Sequence, residues 1–114
     1  MSLNVYKQET EKVCKDKGWD KVPVDTVWLL LTEEFGELAS AIRQYKRTFK
    51  KTGLKKDRGT DVRQEMADVF SYLFQISAML GIDLDEMWSE HRSKLNQKKY
   101  SRVSSKEHER AHAQ

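Results

Sequence analysis

The sequence has one proline, Pro23, and only five glycines in 114 residues. Sandwiches and barrels with many turns draw heavily on both, so this scarcity argues against them. The single cysteine, Cys14, excludes an internal disulfide framework and fits a reducing compartment. It has no Cys or His close in sequence, so a zinc site is not expected. No run approaches the roughly 18–20 apolar residues that a membrane span requires. Met1 to Lys17 is polar and charged, without the apolar core of a secretion signal. These absences lead us to expect a soluble, cytoplasmic protein with no membrane partner.

What the chain does have is charge and helix formers. Charged residues are 34% and hydrophobic ones 38% of the chain. With long stretches of Leu, Glu, Lys and Ala, this predicts an all-α fold in one domain, residues 1–100. Residues 101–114 are polar without an apolar stripe and are expected to form a frayed or disordered tail. The net charge of +3 is mild but uneven, with eight basic residues and one acid, Asp57, between Arg43 and Arg58. Seven more basic residues follow from Arg92, against Glu107 and Glu109. Basic clusters around an acidic centre suggest a polyanionic ligand, either nucleic acid or a triphosphate.

Periodicity predicts about four helices. The first covers Leu3 to Lys17 and stops at Gly18; a connector through Pro23 follows. The second runs from Asp25 to Lys46, with Trp28, Leu31, Phe35, Leu38, Ala39 and Ile42 forming one apolar stripe. Arg47 to Gly59 reads as a mobile loop or a short irregular helix pair. The third spans Thr60 or Asp61 to Gly81, a natural C-terminal stop. It is apolar almost all round, so it must be buried on most sides. A chain this small cannot cover it alone, and a homo-oligomer, dimer or tetramer, is expected to complete the bundle. The fourth opens at Asp83, with Glu86 in capping-box register. It turns Leu84, Met87, Trp88 and Leu95 inward and ends near Tyr100.

Four acids stand where apolar residues are expected. Glu34 and Glu37 are neighbours on one face of the second helix, between Leu30 and Ala41. Glu65 and Asp68 repeat the spacing on the third, in the row of Val69, Tyr72 and Ile76. Neither row offers a Lys or Arg, and grouped buried carboxylates are costly without a compensating charge. A hard divalent cation, Mg²⁺ or Mn²⁺, is the economical solution for oxygen-only ligands projecting from facing helices.

Trp28-Leu29-Leu30-Leu31-Thr32-Glu33-Glu34-Phe35-Gly36-Glu37-Leu38 resembles the E-E-x-x-E signature of the MazG-like nucleotide pyrophosphohydrolases. Glu65-Met66-Ala67-Asp68 is similar to their second signature, E-x-x-D, and Asn96-Gln97-Lys98-Lys99-Tyr100 to their Asn-basic-Tyr segment. Arg92 stands where a Lys is usual, and Ser101 where Pro is frequent. The resemblance, over residues 19 to 100, implies an all-α bundle that hydrolyses a (d)NTP to (d)NMP and pyrophosphate in nucleotide-pool sanitation. It puts Glu34, Glu37, Glu65 and Asp68 at the metal-ligand positions. Glu33 beside them would help bind a second ion or orient water, and is the candidate to take its proton.

Arg92, Lys94, Lys98 and Lys99 would then meet phosphate oxygens, with Asn96 on phosphate or sugar and Tyr100 in the same nucleotide-binding segment. Trp19, in the connector, is the best-placed aromatic to stack a base, ahead of Trp28, Tyr72 and Trp88. His91, His108 and His112 read as surface. Two rival readings remain at this level: a non-catalytic helical domain that binds nucleic acid, and an oligomerisation module with a structural ion.

Overall fold

The computed structural model describes residues 2–52 and 58–97. They form four α-helices: α1 (Leu3–Lys17), α2 (Val24–Thr52), α3 (Arg58–Met79) and α4 (Leu84–Gln97), with a 3₁₀ turn at Trp19–Lys21 between α1 and α2. The all-α expectation holds. Helix α2 continues beyond its expected end at Lys46, because the stretch to Thr52 contains no glycine or proline and is rich in Lys and Arg, good helix formers. The expected loop or irregular pair over 47–59 is therefore mostly helical: 47–52 extends α2, 58–59 opens α3, and 53–57 lies outside the described residues. The tail 101–114 lies outside them as well. No single helix among the described residues is long and apolar enough to cross a membrane.

Local chemistry sets the ends. The Ser2 hydroxyl accepts from the Val5 N–H at 3.3 Å and caps α1. Gly18 takes φ 75°, a left-handed stop. Gly81, at φ 65°, ends α3. There the Ile82 N–H donates to the Ser77 carbonyl at 2.9 Å and the Gly81 N–H to Ala78 at 3.3 Å, the double bond of a Schellman motif. Helices α1 and α4 cap one another. The Leu3 N–H donates to Asp85 Oδ1 at 2.7 Å, and the Leu84 N–H to Asn4 Oδ1 at 2.9 Å. Asp83 accepts from the Glu86 N–H at 3.0 Å and from Asn4 Nδ2 at 2.9 Å; these bonds hold its carboxyl below the usual range. We expect Asn4→Ala to cost about 1–2 kcal/mol of stability by urea denaturation. An unchanged midpoint would show that the reciprocal cap is dispensable.

Helices α2 and α3 pack along each other, α1 lies on α3, and α4 rests on α1. On α2 the covered row is Val27, Leu31, Glu34, Leu38, Ala41 and Tyr45, with Leu31 wholly enclosed at 0% exposure. Sealing Val27 and Leu31 is worth about 1.5–3 kcal/mol each.

The single stripe expected on α2 is two stripes. Trp28 is 57% exposed, and Phe35, Ile42 and Ala39 are also open, because each lies about 100° round the helix from the covered row. On α3, Phe70 is 54% exposed, with Met66 and Leu73 beside it, a face that this small chain leaves uncovered, as expected of a single copy. On α4 only Leu84 is buried. Met87, Trp88 and Leu95, expected inward, are exposed; among the described residues α4 packs chiefly on α1.

Candidate active site

Antiparallel packing of α2 on α3 brings the two acidic pairs face to face. Carboxylate oxygens of Glu34, Glu37 and Glu65 all lie within 4.8 Å of one another. Glu34 and Glu65 are half-buried, whereas Glu37 is exposed and opens the cluster to solvent. Asp68, one turn beyond Glu65, is exposed and stands outside that triad, close enough for its charge to act on both buried acids. Burial pushes the Glu34 carboxyl up to about 7, helped by the Glu65 carboxyl against it and the Glu37 and Asp68 charges. Burial also raises Glu65, with Glu37 and Asp68 adding to the rise and the contact with Glu34 opposing it.

The Oε2 atoms of Glu34 and Glu65 are enclosed yet have no hydrogen-bond partner. Such orphaned oxygens cost free energy unless something positive meets them. A hexacoordinate Mg²⁺ holds its oxygens at about 2.1 Å, so opposite ligands sit about 4.2 Å apart. Oxygens that lie within 4.8 Å of one another are near enough for one such ion to be reached by all three after side-chain adjustment. In donor type, spacing and unmet charge, these residues fit a hard divalent cation.

Glu34 of the cluster also lines a cleft of about 690 Å³ between α1, the 3₁₀ turn, α2 and α3. Glu9 and Asp68 are the other acids of its wall, and Trp19, Val13 and Val22 are among its apolar residues. Tyr72 lines it too, its hydroxyl held protonated by burial and by the charges of Glu34 and Asp68. Trp19 is 49% exposed and carries the Lys17 ammonium 5.1 Å from its ring centre, a cation–π contact. Cys14 is buried in the cleft wall, its thiol kept neutral by burial and the nearby Asp20.

The other residues singled out in sequence fall elsewhere. Glu33 is exposed on α2 beside the cluster. Arg92, Lys94 and Asn96 are exposed on α4 and do not line the cleft, and no Lys or Arg among the described residues does. Lys98, Lys99 and Tyr100 lie outside the described residues. Trp28 and Trp88 are exposed away from the cleft, and the exposed His91 ring meets Trp88 at 5.6 Å. Sequence reasoning passed over Thr10, Ser71 and Gln75, which also line the cleft. Gln75 had a legible signal, since it continues the Asp68–Tyr72 row of α3.

Residues 23–103 match the family model of the MazG nucleotide pyrophosphohydrolase domain. The chain is also 30% identical over 87 residues to the "Uncharacterized protein YvdC" of Bacillus subtilis (strain 168), an alignment that covers 72% of this chain and 81% of YvdC. No solved structure gives a significant match. The family match takes in both acidic pairs and most of the described helices, and on that basis the chain belongs to the MazG nucleotide pyrophosphohydrolase family.

Proposed function

We propose that this protein hydrolyses (d)NTPs to (d)NMP and pyrophosphate with Mg²⁺, or Mn²⁺ in its place, in cytoplasmic nucleotide-pool sanitation. The observation that carries the reading is the pair of enclosed, unpartnered oxygens on Glu34 and Glu65, the first of which lines a cleft large enough for a nucleotide. Glu34, Glu37, Glu65 and Asp68 are the ligand set. A divalent ion held there would neutralise charge on the phosphate oxygens as pyrophosphate departs. Water attacks the α-phosphorus, and the bond from that phosphorus to the bridging oxygen breaks. Glu33, exposed next to the cluster, is our candidate to orient this water and accept its proton.

Two further parts belong to this reading. The uncovered faces of α2 and α3, with Trp28, Phe35 and Phe70, are the apolar surface for a second copy of the chain. No Lys or Arg among the described residues lines the cleft, and we assign the triphosphate contacts to Arg92, Lys94 and Asn96, with Lys98, Lys99 and Tyr100, of that second copy. The test is a panel of ribo- and deoxyribonucleoside triphosphates incubated with Mg²⁺ and assayed separately for pyrophosphate and orthophosphate. Pyrophosphate in equal amount with monophosphate is expected. Release of orthophosphate alone, or turnover of no nucleotide, would remove the proposal.

A further inference from the structure

The interior holds two uncharged polar side chains that are nine-tenths or more buried, Ser77 and Gln75, and they differ in one respect. The Ser77 hydroxyl donates to the Leu73 carbonyl at 2.7 Å, a bond inside its own helix. Gln75, at 7% exposure, makes no hydrogen bond among the described residues. A sealed, unsatisfied carboxamide would destabilise the fold. The fully enclosed orphan atoms belong to Glu34 and Glu65, however, and Gln75 lines the cleft. Its amide therefore opens into the cleft, held by a buried stem and free to bond whatever enters.

Along α3, Asp68, Tyr72 and Gln75 line the cleft from one face, Tyr72 one turn from Asp68 and Gln75 two turns from it. That separation is about 10 Å along the helix axis, on the scale of a nucleoside. The rest of the wall mixes polar Glu9, Thr10 and Ser71 with Trp19, Val13 and Val22, apolar surfaces suited to the flat face of a base. A ligand with its phosphates at the acids would thus place its ring system near the Gln75 carboxamide.

We infer that Gln75 is the base-reading residue of this site: its carbonyl accepts from, and its NH₂ donates to, adjacent groups on the edge of a nucleobase. The inference rests on the nucleotide reading above and extends it to base selection. A carboxamide anchored in a buried wall contributes discrimination because a base that fails to match it leaves both partners unpaired. Gln75→Met keeps length and removes both bonds. Across the nucleotide panel, this variant should lower kcat/KM for the preferred base by about 10–100-fold, mainly through KM, and compress the spread among bases. Its Tm without nucleotide should be equal to or above that of the unsubstituted protein, since an unpaired amide is gone. An active variant with the original ranking and spread would overturn this inference alone. A fall in Tm would also overturn it, by showing the amide to be structural. An unsubstituted protein that turns over no nucleotide would overturn the parent reading, and this one with it.

Discussion

Replacing Glu34 by Gln is expected to abolish pyrophosphate release, by roughly 10³-fold or more, equal to about 4 kcal/mol of transition-state stabilisation. The same substitution should make the metal-free protein more stable at pH 8. Glu34 is the half-buried carboxylate whose proton is held up to about 7 by burial and by Glu65, Glu37 and Asp68. At pH 8 the unliganded protein therefore carries a charge that its surroundings resist, and a neutral amide of nearly the same shape removes that resistance. Each kcal/mol regained should raise Tm by about 4–8 °C for a domain of this size. Mg²⁺ should stabilise the unsubstituted chain more than the variant, since a ligand bound only by the folded state stabilises by mass action. Calorimetry with and without Mg²⁺, beside the activity assay, tests both halves. A variant that is inactive but destabilised would mean that Glu34 holds the helices together rather than an ion.

The second large effect is on pH dependence. A carboxyl raised from 4.5 to about 7 in the folded chain keeps its proton where the unfolded chain has lost it. The stability this lends the metal-free protein is complete below about 4.5, declines as pH rises, and is gone above about 7. Metal binding runs the opposite way, because the ion must displace that proton. Between pH 7 and pH 5, Mg²⁺ affinity should fall by about 50-fold from Glu34 alone, nearing tenfold per unit only well below its titration point. Glu65, raised in the same direction, steepens the dependence. Titration calorimetry at pH 5, 6, 7 and 8 would measure it. An affinity independent of pH would take Glu34 out of the ligand set.

Both expectations come from a conflict that local rules detect in particular residues. Glu34 interrupts a covered row that otherwise runs Val27, Leu31, Leu38, Ala41, and Glu65 interrupts the row that continues to Val69, Tyr72 and Ile76. Carboxylates at such positions break the pattern that makes the helices, so they are legible without coordinates. The stops at Gly18 and Gly81 were legible for a similar reason, since left-handed backbone at a helix end favours glycine. The exposure of Trp28, Phe35 and Met87 was not. Helical periodicity says which residues share a face, and it is silent on whether the chain supplies a partner for that face.

The amino-acid order by itself determined four helices, the stops at Gly18 and Gly81 and two acid pairs at one-turn spacing, because each depends on neighbours within a few residues. Only the tertiary structure decided that Glu37 joins Glu34 and Glu65 while Asp68 stands just outside, and that Arg92 and Lys94 do not line the cleft. It also decided that Gln75, though buried, lines the cleft. Those outcomes depend on the rotation and depth at which α2 and α3 meet, which is set by packing between residues some 30 or more positions apart.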